Sequence, residues 1–441
     1  MKRVLSLVLA LVLVLSCVGG LALRAEAALN PSNSSLFNSL IKPQKSKSRE
    51  IVQVVSSYYS SIFAVLYSDG TVGVGGTFYT DDDSELDAYA PALKWKNIKK
   101  IYLNQATLIG LCEDGTVVSV APKWDEEYKP LKTSHLKNVV DIAFMEPGNS
   151  YFFLLEDGTV RCEMDGYNEP GYVPFDGVYK RWKGVKKLIP YYYYDIFAIF
   201  EDGTVASMGE YGISDDQSAF WTNMENVYIE DRYYGIQENG SVVIYDPYPE
   251  YSMKVPNEGL SLTGAQQLYC AGEVMFGLDR DGKLLVSGGK DWFYKNYNKK
   301  NAFVSWSEFD NIKTLYAKRD FGIDFVMGIR EDGKPVALKK DLNKYVSQLP
   351  AVKKLAYCID TEGTTYVLGL QENGNVVGIE MSDSGKAVVH DDTFRGWEVL
   401  DIYATHQGVL LGFNADGSIS ASCDGLGMFF ISYNTPVGYG K

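Results

Sequence analysis

The chain has 441 residues, 46% of them hydrophobic and 13% aromatic, which supplies a packed core and excludes global disorder. Its net charge of −14 argues against nucleic acid and against anionic lipid as partners, because an acidic surface repels both.

The first element is an export signal. Lys2 and Arg3 form a basic start, Val4 to Leu23 is apolar apart from Ser, Gly and Cys, and Ala25-Glu26-Ala27 is an A-x-A cleavage site. This predicts a signal peptide over residues 1–27 and a secreted or cell-envelope-associated protein. Two alternatives use the same residues. Leu15-Ser16-Cys17 could serve as a lipobox that anchors the chain through Cys17, although the apolar run continues past it. A retained membrane helix is the other, and no membrane span is expected in the mature chain, because no second apolar stretch of about 18 residues follows. Removing residues 1–27 takes Lys2, Arg3, Arg24 and Glu26 with it, so the mature chain carries a net −16. Residues 28–50, rich in Ser, Asn and Lys, read as a flexible linker, with Leu36 to Ile41 able to add to a closing sheet.

From residue 51 the chain repeats. Each unit has a hydrophobic run, a polar residue, Asp-Gly or Asn-Gly, and a second hydrophobic run, beginning with Phe63-Ala-Val-Leu-Tyr-Ser-Asp69-Gly70-Thr-Val72. Later units centre on Asp114-Gly115, Asp157-Gly158, Asp202-Gly203, Asn239-Gly240, Asp281-Gly282, Asp332-Gly333, Asn373-Gly374 and Asp416-Gly417, with steps of 37 to 51 residues between glycines. Asp-Gly and Asn-Gly between β-branched and aromatic flanks predict a hairpin with a two-residue type I′ turn, positive φ falling on both turn residues. Before each hairpin stand two apolar residues three apart, such as Ile98 with Ile101, Val139 with Ile142 and Val185 with Leu188. A Trp often precedes them (Trp95, Trp182, Trp221, Trp306, Trp397), where it could close an outer strand. Four antiparallel strands in about 43 residues make one propeller blade. The expected fold is therefore all-β: a single β-propeller of about eight or nine four-stranded blades over residues 51–441.

The unit Trp95-Lys-Asn-Ile98-Lys-Lys-Ile101, continued by Ile109-Gly-Leu-Cys-Glu-Asp114-Gly115-Thr116-Val117, resembles the repeat of the RCC1-like family (regulator of chromosome condensation), secreted bacterial type. The resemblance covers essentially residues 51–430 and implies a β-propeller. It departs where the family places Gly after the first strand (here Asn104, Glu230, Lys318), and the Gly closing the third strand survives only in places, as at Gly75, Gly209 and Gly288. The family's nuclear founder is a nucleotide-exchange factor that binds chromatin, partners foreign to an exported acidic chain.

Catalytic motifs are missing. The three histidines, His135, His390 and His406, sit apart, and no P-loop or dinucleotide fingerprint occurs. No metal, cofactor or catalytic residue is expected. Asp81-Asp82-Asp83 with Glu85 and Asp87 lacks the spacing of a calcium loop and reads as a solvated loop. Five cysteines follow the signal, an odd set without a C-x-x-C pair, and read as small buried residues with room for one incidental bridge. The functional reading is a non-enzymatic binding protein. Loops on one face, rich in Tyr and Trp, would bind an extracellular protein or a cell-wall carbohydrate. The candidate ligand-binding residues are Tyr192, Tyr193, Tyr233, Tyr248, Trp292, Tyr294 and Tyr297. The competing reading of the same aromatics is that they cap the blade cores. A secreted hydrolase or lyase with carboxylates at the propeller mouth is the alternative function.

Overall fold

The computed structural model describes residues 50–56, 62–75, 88–104, 106–122, 131–145, 150–164, 177–191, 195–208, 221–229, 232–246, 254–271, 273–297, 302–317, 325–359, 365–381, 387–389, 399–404, 410–414 and 419–422. Nine antiparallel sheets follow one another along these residues, each with its strands A, B and C side by side in chain order. Sheet 1 comprises Ile51–Ser56, Phe63–Tyr67 and Val72–Gly75; sheet 2, Ile98–Asn104, Thr107–Cys112 and Val117–Val120; sheet 3, Val139–Phe144, Ser150–Leu155 and Val160–Met164. Sheet 4 comprises Val185–Tyr191, Asp195–Phe200 and Val205–Met208; sheet 5, Met224–Ile229, Tyr233–Gln237 and Val242–Tyr245; sheet 6, Ala265–Ala271, Val274–Asp279 and Leu284–Val286. Sheet 7 comprises Ile312–Tyr316, Met327–Arg330 and Pro335–Ala337; sheet 8, Lys354–Ile359, Thr365–Leu370 and Val376–Met381; sheet 9, Val399–Ala404, Leu410–Asn414 and Ile419–Ser422.

The three-residue apolar spacing has a simple origin. In strand A of sheet 2, Ile98 stands opposite Cys112 while Lys100 stands opposite Leu111, so two residues face one and the strand is bulged. The same shift occurs at the start of strand A in seven other sheets. A bulge resets the two-residue alternation, so Ile98 and Ile101 both enter the core while Lys99 is exposed and Lys100 half-buried. This order, buried, exposed, half-buried, buried, recurs from Val139, Val185, Met224, Ala265, Ile312, Val352 and Val399.

The hairpin turn differs from the type I′ expectation. Gly70 N–H donates to the Tyr67 carbonyl (2.9 Å) and Tyr67 N–H to the Thr71 carbonyl (3.0 Å). Positive φ falls on the glycine alone, 73° at Gly70 and 76° at Gly115 and Gly203, while the aspartates and asparagines before the described turn glycines keep ordinary φ. The turn is a three-residue loop, a type I turn closed by a left-handed glycine. The Asp side chain braces that loop. Asp69 Oδ1 accepts the N–H of Thr71 at 3.0 Å and its hydroxyl as well. Asp114, Asp157 and Asp202 repeat this with Thr116, Thr159 and Thr204. In those three the Thr hydroxyl and then its N–H hold the carboxyl below the usual carboxylate range.

Each described turn glycine also joins neighbouring sheets. Its carbonyl accepts the N–H at the start of the next unit: Gly70 from Ile98 (3.0 Å), Gly115 from Val139 (2.9 Å), Gly158 from Val185 (2.9 Å) and Gly203 from Met224 (2.9 Å). Gly240, Gly282, Gly333 and Gly374 do the same with Gly264, Ile312, Val352 and Val399. The residue before strand A is left-handed in sheets 2 to 7, as Asn97, Asn138, Gly184, Asn223, Gly264 and Asn311.

The core lies between sheets. Along strand B of sheet 1, Ala64 and Leu66 pack toward Ile98, Ile101 and Leu108 of sheet 2. The alternate residues Phe63, Val65 and Tyr67 pack with Tyr403, Leu411 and Phe413 of sheet 9. Ser56 Oγ and Tyr403 Oη lie 3.4 Å apart across the same contact. Equivalent clusters join sheets 2 with 3, 3 with 4, 4 with 5, 5 with 6, 6 with 7 and 7 with 8. Burial on both faces is why strand B reads as a continuous apolar run.

The expectation of four strands per unit is met in one sheet, and in most of the others the chain after strand C lies largely outside the described residues. Among the described residues only sheet 8 has a fourth strand, Ala387–Val389. Helices follow strand C in three other units: α1 (Glu258–Leu262), α2 (Gly289–Tyr297) and α3 (Lys340–Val346). Gly259 lets α1 lie on the sheet, since a Cβ there would meet the Val242 carbonyl oxygen at 2.7 Å. Trp95 and Trp182 end short 3₁₀ turns (Ala92–Lys94 and Val178–Arg181), and Trp182 and Trp221 are buried between sheets.

Candidate functional site

The two ends of the sheets differ. Strands B and C are separated by four residues in eight sheets and by five in sheet 8, whereas A–B connections run from two residues (105–106) to ten (317–326). The A–B connections and the segments leaving strand C lie at one end and the tight turns at the other.

The candidate aromatics separate into three groups. Tyr192, Tyr193 and Tyr248 lie outside the described residues. Tyr233 is 1% exposed in the core between sheets 4 and 5, its ring 5.3 Å from Phe197 and 5.5 Å from Tyr245, so it is a core residue and not part of a binding surface. Trp292, Tyr294 and Tyr297 are half-buried on α2. They surround Phe293, which is fully buried and lies 5.7 Å from Phe276, 5.4 Å from Tyr297 and 5.2 Å from Phe303. The Tyr294 hydroxyl donates to the Val304 carbonyl at 2.7 Å. These rings anchor α2 through one edge, and its exposed face carries Lys290, Asp291 and Lys295.

Next to α2 is an ionic network that sequence reasoning missed. Arg232 immediately precedes strand B of sheet 5; its Nε bonds Asp246 Oδ2 at 3.1 Å and its Nη1 bonds Glu258 Oε2. The Tyr234 hydroxyl donates to Glu258 Oε1 at 2.6 Å. Arg232 and Glu258 are 8% and 7% exposed, and burial raises the Glu258 carboxyl despite its two donors. Both Glu258 oxygens are thus committed to fixing α1 on sheet 5, a positioning role.

The second polar array runs along strand A. The half-buried residue two places after the first apolar one is Gln53, Lys100, Asp141, Lys187, Asn226, Gln267, Thr314, Lys354 and Asp401 in sheets 1 to 9. Several bridge to the next sheet. Gln53 Nε2 donates to the Ile101 carbonyl (2.8 Å) and its Oε1 accepts Ile101 N–H (2.9 Å). Lys100 Nζ is 2.7 Å from Asp141 Oδ1, Lys187 Nζ 3.0 Å from Asn226 Oδ1, and Lys354 Nζ 2.8 Å from Asp401 Oδ1. Tyr102 and Tyr316 add hydroxyls that accept Ile142 N–H (3.3 Å) and Leu355 N–H (3.2 Å) from the next sheet. Burial pushes the Tyr316 hydroxyl up to about 12, and burial with the adjacent Asp141 charge raises that of Tyr102 further. These side chains satisfy N–H groups of strand A, an edge strand of each sheet.

Among the described residues, no three His, Cys, Asp or Glu side chains converge as a metal site, and no helix is long and apolar enough to cross a membrane. His135 lies 2.7 Å from Glu163 on the surface. Cys112 and Cys162 carry free thiols, and burial pushes the Cys162 thiol up to about 12, far from a nucleophile.

Successive A-B-C sheets, each packed face to face on the next and tied by its turn glycine, define a β-propeller repeat protein. No protein-family model and no curated protein matches the chain. Among solved structures it is similar to Prp20p from Saccharomyces cerevisiae, at 16% identity over 49% of this chain and 60% of that one, TM-score 0.31. It is similar also to the CRINKLY WD40 ectodomain of the Arabidopsis thaliana receptor kinase ACR4 (14% identity, 66% and 96% covered, TM-score 0.33). A third is the WD40 domain of SCAP from fission yeast (10% identity, 90% and 99% covered, TM-score 0.32). The chain thus spans less than two thirds of Prp20p.

Proposed function

We propose that this protein is an exported, non-enzymatic binding module whose nine sheets close into one ring and whose variable connections, on the side opposite the tight turns, hold a protein or carbohydrate ligand outside the cell. The observation that carries the reading is the asymmetry between the two ends: constant, hydrogen-bonded turns on one side, and length variation with the anchored aromatic helix α2 on the other. Rigid sheets presenting variable connections are suited to recognition. The contact of Phe63, Val65 and Tyr67 with Tyr403, Leu411 and Phe413 supports closure. The A-x-A site at Ala25-Glu26-Ala27 supports export. No reaction is assigned, since both oxygens of Glu258 are occupied and Asp141 and Asp401 are each paired with a lysine.

The test compares capture of medium and cell-envelope components by residues 28–441 and by a variant carrying Lys290→Glu, Asp291→Arg and Lys295→Glu. These exposed side chains leave the core untouched. Loss of a captured species in this variant, with Lys334→Glu at a tight turn still active, supports the reading. Equal capture by both variants removes α2 from it.

A further inference from the structure

Two of the nine repeat units carry Asn in place of Asp before the turn glycine, and Asn239-Gly240 and Asn373-Gly374 are the two Asn-Gly pairs of the whole chain. Asn-Gly is the dipeptide in which asparagine most readily converts itself. The glycine nitrogen, with no neighbouring side chain to obstruct it, loses its proton and attacks the asparagine Cγ. Ammonia leaves and a succinimide ring closes. Water then opens the ring at either carbonyl, giving Asp or isoaspartate. One water is consumed, one ammonia is released and nothing is oxidised or reduced. Asn97, Asn138, Asn223 and Asn311 precede Ile, Val, Met and Ile, whose side chains crowd the same nitrogen.

The folded turn holds both reacting groups. Gly240 N–H donates to the Gln237 carbonyl (2.8 Å) and Gly374 N–H to the Gln371 carbonyl (3.0 Å), which retains the proton that must leave. The asparagine side chains point onward along the chain: Asn239 Oδ1 accepts Ser241 N–H at 2.8 Å, and Asn373 Oδ1 accepts Asn375 N–H at 3.0 Å. Both asparagines are exposed, so water and base reach them, and the restraint is the turn rather than burial.

The two products differ in what they do to the unit. Asp keeps the Oδ1 acceptor, and Asp69, Asp114, Asp157, Asp202 and Asp332 already hold the N–H two residues on at 2.9 to 3.0 Å. Isoaspartate carries the main chain through Cβ. That adds a methylene before the glycine and leaves a carboxylate directly on Cα, where it no longer braces the loop. The Gly240 carbonyl accepts Gly264 N–H and the Gly374 carbonyl accepts Val399 N–H, both at 2.8 Å, so a lengthened turn also withdraws the bond to the next sheet.

We propose that Asn239 and Asn373 are self-modification sites gated by their turns: each is silent while its hairpin is closed and converts when sheet 5 or sheet 8 opens, and the isoaspartate formed then keeps that unit from closing as before. The two sites are a covalent record of local opening. They lie at the tight-turn end and do not depend on the ligand reading of the opposite side.

Residues 28–441 are incubated at mildly alkaline pH, native and in denaturing guanidinium chloride. Proteolytic peptides carrying residues 239 and 373 are followed by mass spectrometry, with isoaspartate distinguished from Asp by electron-transfer fragmentation. Both sites should convert in the denatured chain and more slowly, by about tenfold or more, in the native one, because two hydrogen bonds must first open. Asn97 and Asn223 should stay unconverted over the same time. Chains bearing isoaspartate at residue 239, separated by ion exchange and returned to buffer, should unfold at lower urea than the parent. Asn239→Asp with Asn373→Asp should unfold at the parent's urea concentration. The proposal is overturned by equal rates in native and denatured chains, by absence of conversion in the denatured chain, or by conversion as fast at Asn97 or Asn223. Isoaspartate chains that regain the parent's stability, or a double Asp variant that loses it, likewise overturn it.

Discussion

Gly203→Ala tests how the sheets are joined. Gly203 has φ of 76°, and a Cβ in the left-handed region costs about 1–2 kcal/mol. That Cβ would also stand 2.6 Å from Asn223 Cα and 2.8 Å from Asn223 N, backbone atoms of the next unit that cannot rotate away. Relief requires the sheets to separate, which weakens the 2.9 Å bond from Met224 N–H to the Gly203 carbonyl, worth about 0.5–1.5 kcal/mol. The expected loss is about 2–3 kcal/mol. Gly184 is the control. Its φ is 68°, but the nearest atom to its Cβ would be Glu201 Oε2 at 3.8 Å. Gly184→Ala should cost only the conformational part, about 1–2 kcal/mol. Gly184→Asn should be nearly neutral, because Asn97, Asn138, Asn223 and Asn311 already hold that place in other units. Urea unfolding of residues 28–441 followed by tryptophan fluorescence reads the difference. The reasoning is refuted if Gly203→Ala is no worse than Gly184→Ala, or if Gly184→Asn is as damaging as Gly184→Ala.

Three further outcomes are expected. Tyr102→Phe removes the acceptor of Ile142 N–H and the donor to Asp141, and should destabilise by about 1–3 kcal/mol in the same unfolding assay. Arg232→Met leaves Asp246 and Glu258 without their guanidinium and should cost about 3–5 kcal/mol, part of which Arg232→Met with Glu258→Gln should recover. Asp114, Asp157 and Asp202 have folded pKa values below their unfolded ones, so their contribution is present above an unfolded value of about 3.9 and is lost as pH falls through the lower folded value. Replacing all three with Ala should flatten the acid limb of the stability–pH curve, measured by thermal unfolding between pH 2 and pH 7.

The repeats and hairpins were legible because one chemical requirement recurs: a glycine in the left-handed region between two buried strands. The turn class was not, since Asp-Gly serves a type I′ turn and a type I turn with a glycine bulge equally well, and only the Thr two residues after the Asp marked the second. Ile98 with Ile101 showed the bulge in plain view, but a spacing of three belongs to no regular strand and does not by itself reveal its cause. Tyr233 was misplaced because a Tyr-Tyr pair before a strand looks like a loop until Phe197 is seen to cover it. Arg232 and Glu258 lie 26 positions apart and meet only through the path of the chain between strands C and A, which no local pattern records. The helices after strand C were hidden for a similar reason: Trp292 to Tyr297 is aromatic enough for a strand, and only packing on Phe276 and Phe303 selects the helix.

Closure of the sheets into a ring is tested by two electron–electron distances on residues 28–441. Spin labels go on cysteines at Val52 and Leu400, and separately at Val52 and Val140, with the native cysteines replaced by Ser or Ala. These three residues hold the same exposed position in sheets 1, 9 and 3. If the last sheet packs on the first, Val52 to Leu400 spans one sheet step and Val52 to Val140 spans two, so the first distance is the shorter. A Val52–Leu400 distance longer than the Val52–Val140 distance would mean that the ends do not meet, and the ring would have to be abandoned.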